Sequence, residues 1–186
     1  MTDEGLATEG RAPLVGQRLA LEESALYAVL DAARDDLVLA WINTSGVEAL
    51  CLYDGWQSKE LADVAPYLVS VPRGSEHLRA LLDEAWGRNW GVFLASGVGM
   101  RELRRHLRRF LKVSVEGRGR MLFRFYDPRV LRAFLPTCTV EEANAFFGPI
   151  DAFVTEGHAG ESVMRFCVTP DGVATETEAL PDAPVT

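Results

Sequence analysis

Apolar positions recur along this chain with two alternating periods, and the switches between them mark out its elements. ALYAVLD (25–31) reads as a short apolar strand. Helical spacing follows over 35–44, with Leu37, Val38, Trp41 and Ile42 as candidate core contacts. ALCLYDG (49–55) predicts a second strand that ends in an Asp-Gly turn. A short helix around 58–63 leads to a third strand, APYLVSV (65–71). Ser75 suits the N-cap of a helix over 76–86, where Leu78, Leu81, Leu82 and Ala85 share one face. W-G-R-N-W-G (86–91) reads as a helix-ending glycine followed by entry into a fourth strand, WGVFLAS (90–96).

Residues 100–111 predict the best amphipathic helix of the chain, with Leu103, Leu107, Phe110 and Leu111 on one side. Strands over 112–116 and 120–126 flank Gly117 and Gly119, which suits a hairpin. In the second of them Met121, Phe123 and Phe125 alternate with Leu122, Arg124 and Tyr126. Asp127 then stands at a helix N-cap, and Pro128 at the first helical position, where its missing N–H costs nothing. Val130, Leu131, Phe134 and Leu135 give this helix an apolar face, and Pro136 helps to end it. Thr139 and Glu142 make a capping-box pattern at the start of a helix over 139–147. Segments 150–154, 163–168 and 173–176 predict a small terminal β element.

Together these elements predict an α/β fold: a mixed sheet with alternating strands and helices, followed by a helical segment and a small C-terminal β element. Pro13 and Gly16 are expected to break any short helix near the start, so 1–24 is expected to be flexible. The α/β domain is expected over 25–155, a small extension over 156–178 and a loose acidic tail over 179–186.

Composition changes this picture little. At 186 residues the chain can bury about 70% of its unfolded surface, so its core needs no disulfide or metal staple. Cys51, Cys138 and Cys167 form no C-x-x-C pair, which favours buried thiols in a reducing cytoplasm. No apolar run has the length of a membrane span, and the acidic start does not resemble a secretory signal. A cytoplasmic protein with no membrane partner is the expectation.

Charge is more informative. Nineteen basic against twenty-seven acidic residues leave a net charge of −8, which disfavours general binding to nucleic acid. Against that background Arg101, Arg104, Arg105, Arg108, Arg109 and Lys112 crowd the polar arc of the amphipathic helix, with Glu102 alone opposing them. Such a field favours an acidic protein surface, because arginine grips carboxylates in a forked geometry. The competing reading is a solvated helix face that pairs with the protein's own acids.

Asp31, Asp54 and Asp127 each end a strand-like segment, where a carboxylate cluster could support hydrolysis or hold a metal. Each also suits a turn or a helix cap, and no histidine joins them at a fixed spacing. His77, His106 and His158 are isolated and form neither H-x-x-x-H nor H-E-x-x-H. The chain contains no P-loop, G-x-S-x-G or G-x-G-x-x-G. Cys51 reads as core rather than nucleophile, and Trp86, Trp90, Phe93, Phe123, Phe125 and Tyr126 as core aromatics. No catalytic residue, metal or cofactor is therefore expected.

Several segments, taken in order, carry a resemblance: LYAVLDAAR (26–34), CLYDG (51–55), APYLV (65–69), WGRNWGVFLAS (86–96), LRRHLRRFLKV (103–113), FRFYDPRVLRAFLP (123–136) and FFGPI (146–150). Their order and spacing resemble the bacterial type VI secretion effector-adaptor domain, over about residues 25–155. The resemblance implies a cytoplasmic adaptor or chaperone rather than an enzyme. Such a protein binds an effector toxin and loads it on the valine–glycine-repeat spike. On this reading Arg101, Arg104, Arg105, Arg108 and Arg109 contribute to a partner-binding face, while Arg124, Asp127, Pro128 and Arg129 hold the strand–helix junction. The alternatives are an immunity or scaffold protein that binds a toxin without delivering it, and a small hydrolase built on the strand-end aspartates.

Overall fold

The computed structural model describes residues 10–115 and 119–181 and is built on one seven-stranded sheet. Its strands are β1 (Ala25–Asp31), β2 (Ala49–Cys51), β3 (Pro66–Ser70), β4 (Gly91–Ser96), β7 (Ile150–Glu156), β8 (Ser162–Thr169) and β9 (Gly172–Ala179). They lie in the order β2-β3-β1-β4-β7-β8-β9. The remaining two, β5 (Lys112–Val115) and β6 (Gly119–Leu122), form a separate hairpin. The α/β class is as expected, but every strand pair is antiparallel rather than only the last ones. The C-terminal strands extend the main sheet instead of forming a small element of their own.

Helices cover both faces of this sheet, and a one-turn helix, α3 (Gln57–Glu60), follows β2. On one side α1 (Ala12–Leu19), α2 (Asp36–Ser45) and α4 (Glu76–Ala85) share a core with Leu26, Ala28 and Leu30 of β1. On the other, α5 (Met100–Arg108), α6 (Pro128–Phe134) and α7 (Val140–Phe147) pack with Tyr27 and Val29 of the same strand. Successive strand residues point to opposite faces, so a strand covered on both sides must be apolar throughout. That is why ALYAVLD shows no polar alternation and is buried from Leu26 onward.

Local signals hold where the chain's own neighbours decide the structure. Ser75 accepts the Leu78 N–H at the start of α4, and Thr139 and Glu142 complete a reciprocal capping box on α7. The expected break near the start does not occur. Pro13 falls in the first turn of α1, where no N–H is needed, and Gly16 lies against Leu82 of α4. Ala12, Val15 and Leu19 are buried there. Arg18 pairs with Glu176 and Glu178, and Arg165 with Glu22, so α1 and the segment after it are tied to β8 and β9. Leu180 is also buried, which corrects the loose tail as far as Pro181; residues 1–9 and 182–186 lie outside the described residues.

Four further expectations are corrected. Strand β6 stops at Leu122, because Phe125 and Tyr126 turn into the core and make a T-shaped pair. Helix α5 stops at Arg108, and Phe110 and Leu111 lie in the turn that follows. In α2 only Val38 and Ile42 are buried; Leu37 is exposed and Trp41 half-buried. All three cysteines are free and half-buried rather than enclosed.

Candidate partner-binding site

Helix α5 is held on the sheet by Met100, Leu103 and Leu107, each buried. Complete burial of one leucine stabilises a fold by about 1.5–3 kcal/mol, so the helix is firmly seated and its rotation about its own axis is set. That rotation divides the five arginines into two sets. Arg104 turns toward the end of β2, where its Nε–H donates to the Cys51 carbonyl at 2.6 Å and its Nη2–H to the Tyr53 carbonyl at 2.9 Å. Arg108 pairs with Asp54 just beyond. These two side chains fasten α5 to the strand end and are half-buried.

Arg101, Arg105 and Arg109 point the other way and are exposed. They repeat every fourth residue and so form one stripe along the helix. Among the described residues none of the three has a carboxylate within ion-pair distance, although the protein carries an excess of acids. The Arg109 guanidinium carbon stands 5.7 Å from the centre of the Phe110 ring, close enough for a cation–π contact.

A groove of about 490 Å³ runs beside this stripe. Arg105 and His106 of α5, with Arg109 at its C-cap, form one wall, and Asn144, Gly148 and Pro149 at the end of α7 form the other. Glu102 closes one end. The two walls are joined at His106, whose Nε2 lies 2.7 Å from the Phe146 carbonyl. A carbonyl can only accept, so Nε2 carries the proton and Nδ1 is left as an acceptor. Burial, together with the nearby Arg109 cation, holds the His106 pKa below the ordinary histidine value and so favours the neutral ring at pH 7.

Gly148 makes that contact possible. Its φ is +51°, and a β-carbon placed there would lie 2.3 Å from His106 Cε1. Only glycine lets the chain turn this tightly onto the imidazole. Ser96 then donates to the Pro149 carbonyl at 2.6 Å and fixes the exit into β7. The groove wall from α7 was not identified from sequence; a glycine directly after the paired phenylalanines of FFGP was the signal for it.

The junction after β6 works differently. Asp127 caps α6 by accepting the Arg129 N–H at 2.9 Å, and its carboxylate also takes the Arg129 guanidinium at 3.0 and 2.6 Å. Burial alone would raise the Asp127 pKa, but the Arg129 bonds and charge outweigh it and hold it below the ordinary value. Pro128 is buried at the first helical position. Arg124 reaches back to Asp31, which is 2% exposed at the end of β1. Burial, then the Asp31 charge and Tyr53, push the Tyr126 hydroxyl well above its usual range.

The strand-end aspartates are thus distributed among three arginines: Asp31 on Arg124, Asp54 on Arg108 and Asp127 on Arg129. Among the described residues no group of three or more His, Cys, Asp or Glu stands close enough to hold a metal ion. His77 and His158 are exposed and lie away from the groove. Burial raises the Cys51 thiol pKa, which disfavours the thiolate. No helix among the described residues is long and apolar enough to cross a membrane.

Residues 26–145 match the family described as Domain of unknown function (DUF4123), over more than half of the chain. The chain belongs to this family. The DUF4123 match runs from β1 into α7 and includes α5, the arginine stripe and the Asp127 junction. It leaves out α1, β7, β8 and β9. No curated protein and no solved structure matches the chain.

Proposed function

We propose that this protein is a type VI secretion adaptor. It binds a cognate effector toxin in the cytoplasm and loads it on the valine–glycine-repeat spike. The reading rests on the ordered segments that resemble the effector-adaptor domain, all but the last of which lie within the DUF4123 match. The open arginine stripe supports it: three cations with no ion pair among the described residues, on a firmly seated helix of a protein of net charge −8, suit an acidic protein surface. The division of α5 narrows the partner-binding set to Arg101, Arg105 and Arg109, with Arg104 and Arg108 supporting the helix from behind.

Pairwise co-purification with the spike and toxin encoded beside this gene tests the proposal. An adaptor captures the toxin and also holds the spike. Capture of the toxin alone, with loss of toxicity and no spike, would instead identify an immunity protein. Failure to bind either neighbour would overturn both readings.

A further inference from the structure

We infer that the groove between α5 and the α7–β7 turn receives an extended acidic segment of a partner protein, its carboxylates meeting Arg105 and Arg109. The inference rests on the reading of the chain as a partner-binding protein. Two features of the groove select this occupant.

The first is charge. Among the described residues Arg105 and Arg109 on the wall have no carboxylate within ion-pair distance, Glu102 at the groove's end included, and Arg101 continues the row by one helical turn. The second is spacing. Residues four apart on a helix lie about 6 Å apart along its axis. Alternate residues of an extended chain lie about 6.6 Å apart on the same side. A segment with an acidic residue at every second position therefore presents one carboxylate to each arginine.

The walls are preorganised for such a ligand. Arg109 is steadied over Phe110, and Phe110 makes edge contacts with His106 and Phe146. His106 is anchored to the Phe146 carbonyl and cannot swing into the groove without breaking that bond. Binding then orders few protein side chains, which lowers its entropic cost.

The test uses a fluorescein-labelled peptide of alternating Glu and Ser, read by anisotropy against the full chain, with an alternating Lys and Ser peptide as comparison. Arg105→Glu with Arg109→Glu should weaken the acidic peptide by about tenfold or more. Arg73→Glu with Arg79→Glu, an equal charge change at and just before α4 and away from the groove, should leave it unchanged. A thermal melt checks that the reversed variant is folded, and Arg105→Gln with Arg109→Gln stands in if it is not. No binding of the acidic peptide, equal binding of the lysine peptide, or unchanged affinity in the variants would overturn the inference. So would a sizing-column result in which the chain pairs with itself and the same variants separate it, since the groove would then face a second copy.

The inference and the adaptor reading fail separately. A toxin complex that survives both charge reversals removes the groove and leaves the adaptor. Peptide binding without capture of spike or toxin does the reverse.

Discussion

Gly148→Ala is the sharpest challenge to the geometry of the groove. At φ +51° and ψ −110° the position lies outside the regions open to alanine, and holding it there costs about 1–3 kcal/mol. The new β-carbon would also lie 2.3 Å from His106 Cε1 and 2.8 Å from Nδ1. The ring cannot retreat freely, because it donates to the Phe146 carbonyl and packs on Phe110. Overpacking of this kind adds about 1–3 kcal/mol, for an expected loss of about 2–6 kcal/mol. Buried Trp86 and Trp90 report global unfolding by fluorescence. With a urea slope of about 2 kcal/mol/M, the midpoint should fall by about 1–3 M. His106→Ala removes the obstacle but not the backbone strain. The double variant should therefore lose at least about 1 kcal/mol less than the two single losses combined. A Gly148→Ala loss below about 1 kcal/mol, or strict additivity with His106→Ala, would refute the contact.

Other expectations follow from the same structure. Arg104→Ala removes two bonds to strand-end carbonyls and should cost about 1–2 kcal/mol, whereas Arg105→Ala should stay within about 0.5 kcal/mol; equal melts would refute the division of the helix. Asp127→Ala loses a cap and a buried acceptor for Arg129, and a urea midpoint should register about 2 kcal/mol. Glu156 is buried at the end of β7, where it accepts the Gly87 and Asn89 N–H groups, and burial outweighs those bonds to raise its pKa to about 7. The folded state then holds a proton that the unfolded chain releases near its ordinary 4.5, so this group's stabilising contribution is lost as pH rises from about 4.5 through 7. Urea midpoints at pH 5 and pH 8 should diverge between the parent and Glu156→Gln. The low His106 pKa, which lowers stability as pH falls below about 6.5, is common to both proteins and cancels; parallel curves would exclude the Glu156 role.

Elements with a local cause were legible in the sequence. Ser75, Asp127 and Thr139 cap their helices through bonds to residues two or three positions away, so the side chain and its spacing suffice to place them. Strand β1 was legible from apolarity alone. Features set by distant contacts were not. Helix α1 packs on α4 and is paired to β9, and the segment after it to β8, and Pro13 and Gly16 carry no trace of those partners. The sheet's antiparallel pairing was hidden because helices separate several of its strands in sequence, a pattern that parallel sheets share.

The same distinction runs through the candidate site. Five arginines on one polar arc were plain from helical spacing, but spacing cannot say which of them meets a neighbour. The end of β2 lies about fifty residues earlier and captures Arg104 and Arg108 through two carbonyls and one carboxylate. What remains open is the stripe of Arg101, Arg105 and Arg109. The groove beside it depends on α7, about forty residues later, meeting α5 at His106 and Phe146.

One experiment bears on the proposed function above all others. The chain, the neighbouring spike and the neighbouring toxin are mixed in purified form, and the complex is weighed by light scattering on a sizing column. The adaptor reading requires a species containing all three, absent when this chain is left out. A spike–toxin complex that forms equally well without it, or a chain that binds neither protein, would contradict that reading.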